Sequence, residues 1–226
     1  IILTNNTTQY NMNNIHSLFP EPLGAYELNR NITSTELKAL KDEFWVQNIG
    51  NSVGTDKAVL DKKNLASLRE FVENSLKDYA SKVYDFKDGD AELYLTQSWV
   101  NRTSPNGHHH KHSHPNSIVS GTFYFSGNDT DQIEFFHPVR GESGQSWYFP
   151  ATEFHEHNCH SWLMPATVGT LYLWNSTISH SVPELKAKND RYSLSFNTFV
   201  RGTIGEKQQA NYVEVARPRD CRLEIP

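Results

Sequence analysis

The chain has 226 residues with 37% hydrophobic side chains, enough for one large domain with its own core. Its 21 Lys and Arg stand against 26 Asp and Glu, a net charge of -5, which argues against nucleic acid or an anionic membrane as the main partner. No run approaches the roughly 18 consecutive apolar residues of a membrane-spanning helix. Cys159 and Cys221 allow one bridge at most, and the opening Ile1-Ile-Leu-Thr-Asn lacks both the basic and the long apolar region of a signal peptide, so a reducing cytoplasm is the expected location. The Asn-X-Ser/Thr sequons, at Asn101 and Asn175 among others, read as a by-product of an Asn-rich composition.

Residues 18–28 contain Pro20, Pro22 and Gly24, which restrict them to extended or turn structure. Residues 33–45 carry Thr33 as a cap, Glu36 in the first turn, and apolar side chains at 37, 40, 44 and 45, the signature of an amphipathic helix. A second helix is expected over 65–80, with Asp61 as its cap and apolar residues at 65, 68, 71, 72, 76 and 79.

From about residue 91 the apolar period changes to two, which predicts strands at 92–99, 111–114, 118–126, 132–136, 169–175, 178–182 and 190–200. Short strands separated by turn residues point to an antiparallel sandwich or barrel. Residues 141–165, rich in Trp, Phe and His, read as an ordered loop or insertion. The expected organisation is a single domain over 1–226: an extension with two helices to residue 90, a β core over 91–200, and a tail over 201–226.

Two of these strands carry one polar and one apolar face. Arg191, Ser193, Ser195 and Asn197 share one side of theirs, opposite Tyr192, Leu194 and Phe196. Ser120, Thr122 and Tyr124 likewise oppose Val119, Phe123 and Phe125. A solvated sheet surface is the ordinary explanation. Arg, Ser, Asn and Tyr, however, supply the donors that a buried anion needs.

Five of the eleven histidines fall between His108 and His114. His110, His112 and His114 alternate along an extended segment and so project to one side. Neutral imidazole is a ligand for Fe, Zn, Cu and Ni, which makes the cluster a candidate metal site if a distant residue completes it. A polar loop is the alternative.

A single histidine, His180, lies in a strand-like setting eleven positions before Arg191, and with the upstream pair it makes a two-plus-one arrangement. With His112-Ser-His114, the strand Ser120-Gly-Thr-Phe-Tyr-Phe125, the Gly169 to His180 segment and Arg191-Tyr-Ser193, the chain resembles the 2-oxoglutarate and Fe(II)-dependent oxygenase superfamily. Within it the chain is similar to a 2OG-Fe(II) oxygenase family of bacteria and their phages, with a His-x-His-Pro…Ser-Gly-x-x-Tyr block ahead of a Gly…His…Arg-x-Ser-x-x-Phe-Asn block. The likeness covers residues 94–200.

The resemblance implies a mainly β fold with N-terminal helices, in which a double-stranded β-helix, jelly-roll or cupin-like, is buttressed by the helices and encloses the polar faces. It implies Fe(II) held by His112, His114 and His180, and 2-oxoglutarate held by Arg191 and Ser193 with Tyr124 as an added donor and Asn197 further along the same face. The implied reaction hydroxylates a C–H bond of a small molecule or a protein with O2, releasing succinate and CO2. A phage-encoded member would act in the host cytoplasm. Trp99, Trp147, Tyr148 and Trp162 are candidates for a substrate pocket, and His155, His157 and His160 for its entrance. One departure is evident: the superfamily usually has a carboxylate where this chain has His114, so His114 is either a third imidazole ligand or a supporting residue, and His110 is a substitute for either member of the pair. The rival readings are a three-histidine cupin enzyme that uses no 2-oxoglutarate and a non-catalytic jelly-roll binding or structural protein.

Overall fold

The alternating runs of the second half of the chain pair into two antiparallel sheets. The computed structural model describes residues 15, 17, 19–86, 91–128, 130–138 and 151–215. In chain order its elements are β1 (Leu23–Glu27), α1 (Ser34–Lys41), β2 (Trp45–Gln47), β3 (Ser52–Gly54), α2 (Ala66–Tyr84), β4 (Ala91–Thr103), β5 (His109–His112), β6 (Val119–Ser126) and β7 (Gln132–Phe136). They continue with β8 (Ser161–Pro165), β9 (Thr170–Asn175), β10 (His180–Val182), β11 (Arg191–Ile204) and β12 (Val213–Val215). The larger sheet runs β1-β9-β6-β11-β4-β3-β2, with β12 on the far end of β11, and the smaller runs β5-β10-β7-β8.

The faces of the larger sheet sort as the alternation dictates. Val119, Phe123, Phe125, Leu171, Leu173, Leu194 and Phe196 meet Leu68, Val72, Leu76 and Tyr79 of α2 in the main core. At Gly121 a Cβ would collide with the Phe196 ring, so the missing side chain is what lets that ring fill the core. On the opposite face Tyr124, Tyr172 and Trp174 meet Ile133 and Phe135 of the smaller sheet in a second cluster. The polar residues of β6 and β11 thus lie between the two sheets, out of bulk water.

The helices differ from expectation at their ends. Thr33 and Glu36 form a reciprocal capping box on α1, but the helix stops at Lys41. Trp45 instead enters the β2–β3 hairpin, with its ring edge-on to Tyr192 at 6.0 Å, while Phe44 is exposed. Asp61 does not cap α2. It sits in a 3-10 turn and pairs with Arg69, and the N-cap residue is Leu65.

Several strands were undersized or unseen in the sequence pattern. β4 and β11 pair from Arg191↔Thr103 to Gly202↔Ala91, with one register shift between Asn197 and Thr198, so each outruns its alternation. β8 lies within the stretch expected to be a loop, and its short apolar run gains strand geometry by pairing with β7. β1 forms from the Pro-rich segment by edge pairing with β9. Among the described residues no helix is long and apolar enough to cross a membrane. Trp147, Tyr148 and Cys221 lie outside the described residues.

Candidate metal centre

Strand β10 brings His180 beside β5, with His180 opposite His112 in the ladder. β5 ends at His112, two residues short of the sequence expectation, and His114 is anchored by its amide, which donates to the Ser176 carbonyl at 3.0 Å. The ring centroids of His112 and His180 are 4.3 Å apart, and His114 stands 5.1 Å from each. One nitrogen from each of these three rings lies within 4.8 Å of the others.

The hydrogen bonds decide which nitrogens face inward. His112 Nδ1 is 2.8 Å from the His110 carbonyl, His180 Nδ1 is 3.3 Å from the Ile178 carbonyl, and His114 Nδ1 is 2.7 Å from Asn197 Oδ1. Each partner is an oxygen acceptor, so each ring carries its proton on Nδ1 and presents a bare Nε2 lone pair. His114 Nε2 and His180 Nε2 are 3.3 Å apart, with no proton available to join them. Two nitrogens on one first-row divalent ion at about 2.1 Å would stand about 3.0 Å apart at a right angle and about 3.4 Å at a tetrahedral angle. The spacing fits a shared cation.

Burial keeps the cluster neutral. It holds His180 well below the usual imidazole range and pushes His114 down to about 4, in each case reinforced by neighbouring histidines; His112 is lowered chiefly by burial. The lone pairs therefore stay available at physiological pH. Among the described residues no Asp or Glu joins the group of His112, His114 and His180.

Asn197 is oriented in turn. Its Oδ1 also accepts from Ser120 Oγ at 2.9 Å; Ser120 contacts Ser176 at 2.7 Å, and Ser176 donates to Ser117 at 2.8 Å. Trp99 stacks on the His114 ring at 5.7 Å. Asn197 thus serves the histidine, and it is absent from the residues that line the adjoining cavity.

That cavity, of about 30 Å³, lies between the sheets. Its wall includes His112, His114, His180, Tyr124, Arg191 and Ser193, so six of the seven residues singled out in the sequence meet at one place. Arg191 is buried, donates to Thr103 Oγ1 at 3.1 Å and to the Gln132 carbonyl at 3.5 Å, and has no salt bridge among the described residues. Burial lowers its pKa from the ordinary value, partly countered by Tyr124 and Asp131. The Tyr124 phenol is raised by burial and keeps its proton. Two further buried polar atoms of wall residues, Asn101 Oδ1 and Trp174 Nε1, have no hydrogen-bond partner among the described residues.

Sequence reasoning missed Asn101, Thr103 and His109 as wall residues. The first two continue the alternation of Trp99 along β4, a signal hidden because that strand was ended at 99. Asn101 heads a sequon, yet it is buried and donates to Ser195 Oγ at 2.9 Å.

Residues 97–197 match a family model described as "Putative 2OG-Fe(II) oxygenase". Over these residues the chain is similar to the 2OG-Fe(II) oxygenases. Solved structures share its fold at low identity. A 2OG-Fe(II) oxygenase family oxidoreductase from Burkholderia pseudomallei is 13% identical, with 77% of this chain and 84% of that one covered at a TM-score of 0.52. The epimerase SnoN, solved with Fe3+, alpha ketoglutarate and nogalamycin RO, is 11% identical, with 88% and 93% covered at 0.57. A Trichoplax adhaerens prolyl hydroxylase in complex with a hypoxia inducible factor peptide is 11% identical, with 78% and 83% covered at 0.52. No curated protein matches the sequence.

The superfamily's metal and cosubstrate are Fe(II) and 2-oxoglutarate, and the donor set suits both. Three convergent neutral nitrogens fit a borderline cation such as Fe(II), and a buried guanidinium with no salt bridge among the described residues fits a carboxylate.

Proposed function

We propose that this chain is a hydroxylating 2OG-Fe(II) dioxygenase, and that its own residues divide the work along the inter-sheet cavity. The observation that carries the reading is the convergence of one ring nitrogen each from His112, His114 and His180 beside a cavity whose wall also holds Arg191, which has no salt bridge among the described residues. His112, His114 and His180 are the metal ligands in this reading. Arg191 binds the distal carboxylate of 2-oxoglutarate with a fork of charge-assisted hydrogen bonds, and Ser193 and Tyr124 add hydroxyl donors. When bound, the iron and the cosubstrate supply dioxygen activation coupled to oxidative decarboxylation: substrate R–H, O2 and 2-oxoglutarate become R–OH, succinate and CO2.

The protein's part is positioning and exclusion. Asn197 fixes the plane and tautomer of His114, and backbone carbonyls do the same for His112 and His180. The cavity as it stands admits about two waters, so 2-oxoglutarate enters by moving wall side chains. For the substrate, the supporting feature is an apolar cleft of about 710 Å³ that shares Trp174 with the cavity and includes Phe135, Trp162 and Met164. Trp174 packs edge-on to His180 at 4.8 Å, so a substrate lying in this cleft reaches the centre past one indole. A small molecule or a protein side chain with an apolar body fits it.

The all-imidazole set favours one second reading, a three-histidine metalloenzyme that does not use 2-oxoglutarate. Turnover separates the two. With ascorbate present as the two-electron reductant in place of substrate, the iron protein supplied with O2 and 2-oxoglutarate is expected to release succinate and CO2 in equal amounts, more slowly than with substrate; a protein that consumes no 2-oxoglutarate under any condition belongs to the second reading.

A further inference from the structure

A second group of imidazoles adjoins the first. His109, His110 and His112 also place one nitrogen each within 4.8 Å of one another, so the two groups share His112. A bulge causes the overlap: His180 faces His112 and Val182 faces His109, which leaves one extra residue on β5 and draws neighbouring rings together. The ring centroids of His109 and His110 lie 4.4 and 5.1 Å from that of His112. His110 Nδ1 is buried and has no hydrogen-bond partner among the described residues, an unusual state for a polar atom.

The two groups differ in access. His109, His110 and His112 are each partly exposed, whereas the inner group includes the buried His180. A divalent cation arrives in water with a full octahedral shell, and the inner cavity of about 30 Å³ does not admit it in that form. The ion therefore has to exchange waters for protein ligands on the way in.

We propose that His109, His110 and His112 form an outer site for a first-row divalent cation and pass it to His112, His114 and His180 through the shared His112. The step is ligand exchange: imidazole lone pairs replace water, then the lone pairs of His114 and His180 replace those of His109 and His110, and the charge of the ion does not change. An all-nitrogen set selects Fe(II), Co(II), Ni(II) or Zn(II) over Mg(II) and Ca(II). The proposal rests on the inner triad being the resident metal site.

Cobalt(II) uptake by the metal-free protein, followed by its ligand-field absorption in stopped flow, tests it. His110→Ala is expected to slow uptake and chelator-driven release at least tenfold and to change the final affinity less than threefold. A second comparison needs no kinetics: His180→Ala retains weak cobalt binding on the outer group, and His180→Ala with His110→Ala loses at least tenfold more. Thermal unfolding of each variant confirms folding. Unchanged uptake in His110→Ala, or equal cobalt affinity in the single and double variants, overturns the outer site alone. Wild-type affinity in His180→Ala overturns the inner site and the transfer together.

Discussion

His114 Nδ1 and Asn197 Oδ1 stand 2.7 Å apart, a contact that fixes the plane of the His114 ring and turns its Nε2 away from Asn197. Asn197 in turn is held by Ser120, which sits opposite it in the β6–β11 ladder. Removing the acceptor frees the ring to rotate and to change tautomer. Asn197→Ala is therefore expected to weaken Fe(II) binding by about 10- to 100-fold, measured by competition with a chelator. Asn197→Asp keeps the acceptor and is expected to retain binding within a few fold. If both variants bind iron like the wild type, His114 does not depend on this contact.

The cosubstrate prediction concerns Arg191. Truncating it leaves a carboxylate unpaired in a dry site, a loss of about 3 kcal/mol or roughly 100-fold in 2-oxoglutarate affinity. Arg191→Lys restores the charge without the fork and should fall between. Iron affinity stays unchanged in both, and calorimetry of 2-oxoglutarate binding to the anaerobic iron protein reads the difference.

Much of this site was legible in the sequence. His112, His114 and His180 are marked by spacing and order, and Arg191, Ser193 and Tyr124 by the parity of their strands, because a period of two fixes which side chains share a face. The parity of Asn197 places it on the Arg191 face, but its bond to His114 depends on where the chain turns after β5. His109 was invisible, since an ideal strand sends it away from His110 and His112 and only the bulge against β10 brings it back. The same holds for the fold. The strand runs of the core were readable, whereas β1, β2, β3, β8 and β12 are short segments that become strands by pairing, which no local pattern announces.

Packing yields a further test at Gly121. A methyl group there meets the Phe196 ring from within a filled core, so Gly121→Ala should destabilise the fold by about 1–3 kcal/mol. Denaturant unfolding measures it. A neutral or stabilising effect would mean that the ring has room the structure does not give it.

Acid stability carries a signature from α1. Arg30, with help from Thr33, pulls the Glu36 carboxyl from 4.5 down to about 2. A folded-state pKa below the unfolded one stabilises the protein fully above about pH 4.5 and loses that contribution as pH falls toward 2. Glu36→Gln should lower stability near neutrality, keep part of the cap, and flatten the acid limb in that window. Melting temperatures taken across it give the comparison, and parallel acid limbs in both proteins would count against the pairing.

The central claim is that three imidazoles and Arg191 assemble one Fe(II) and 2-oxoglutarate site. Anaerobic titration of the iron-loaded protein with 2-oxoglutarate measures it most directly. A weak visible charge-transfer absorption is expected that saturates at one equivalent, is lost in His180→Ala, and shifts to far higher 2-oxoglutarate concentration in Arg191→Ala. An iron-loaded wild type with no such absorption, or one whose titration is unmoved by Arg191→Ala, would contradict it.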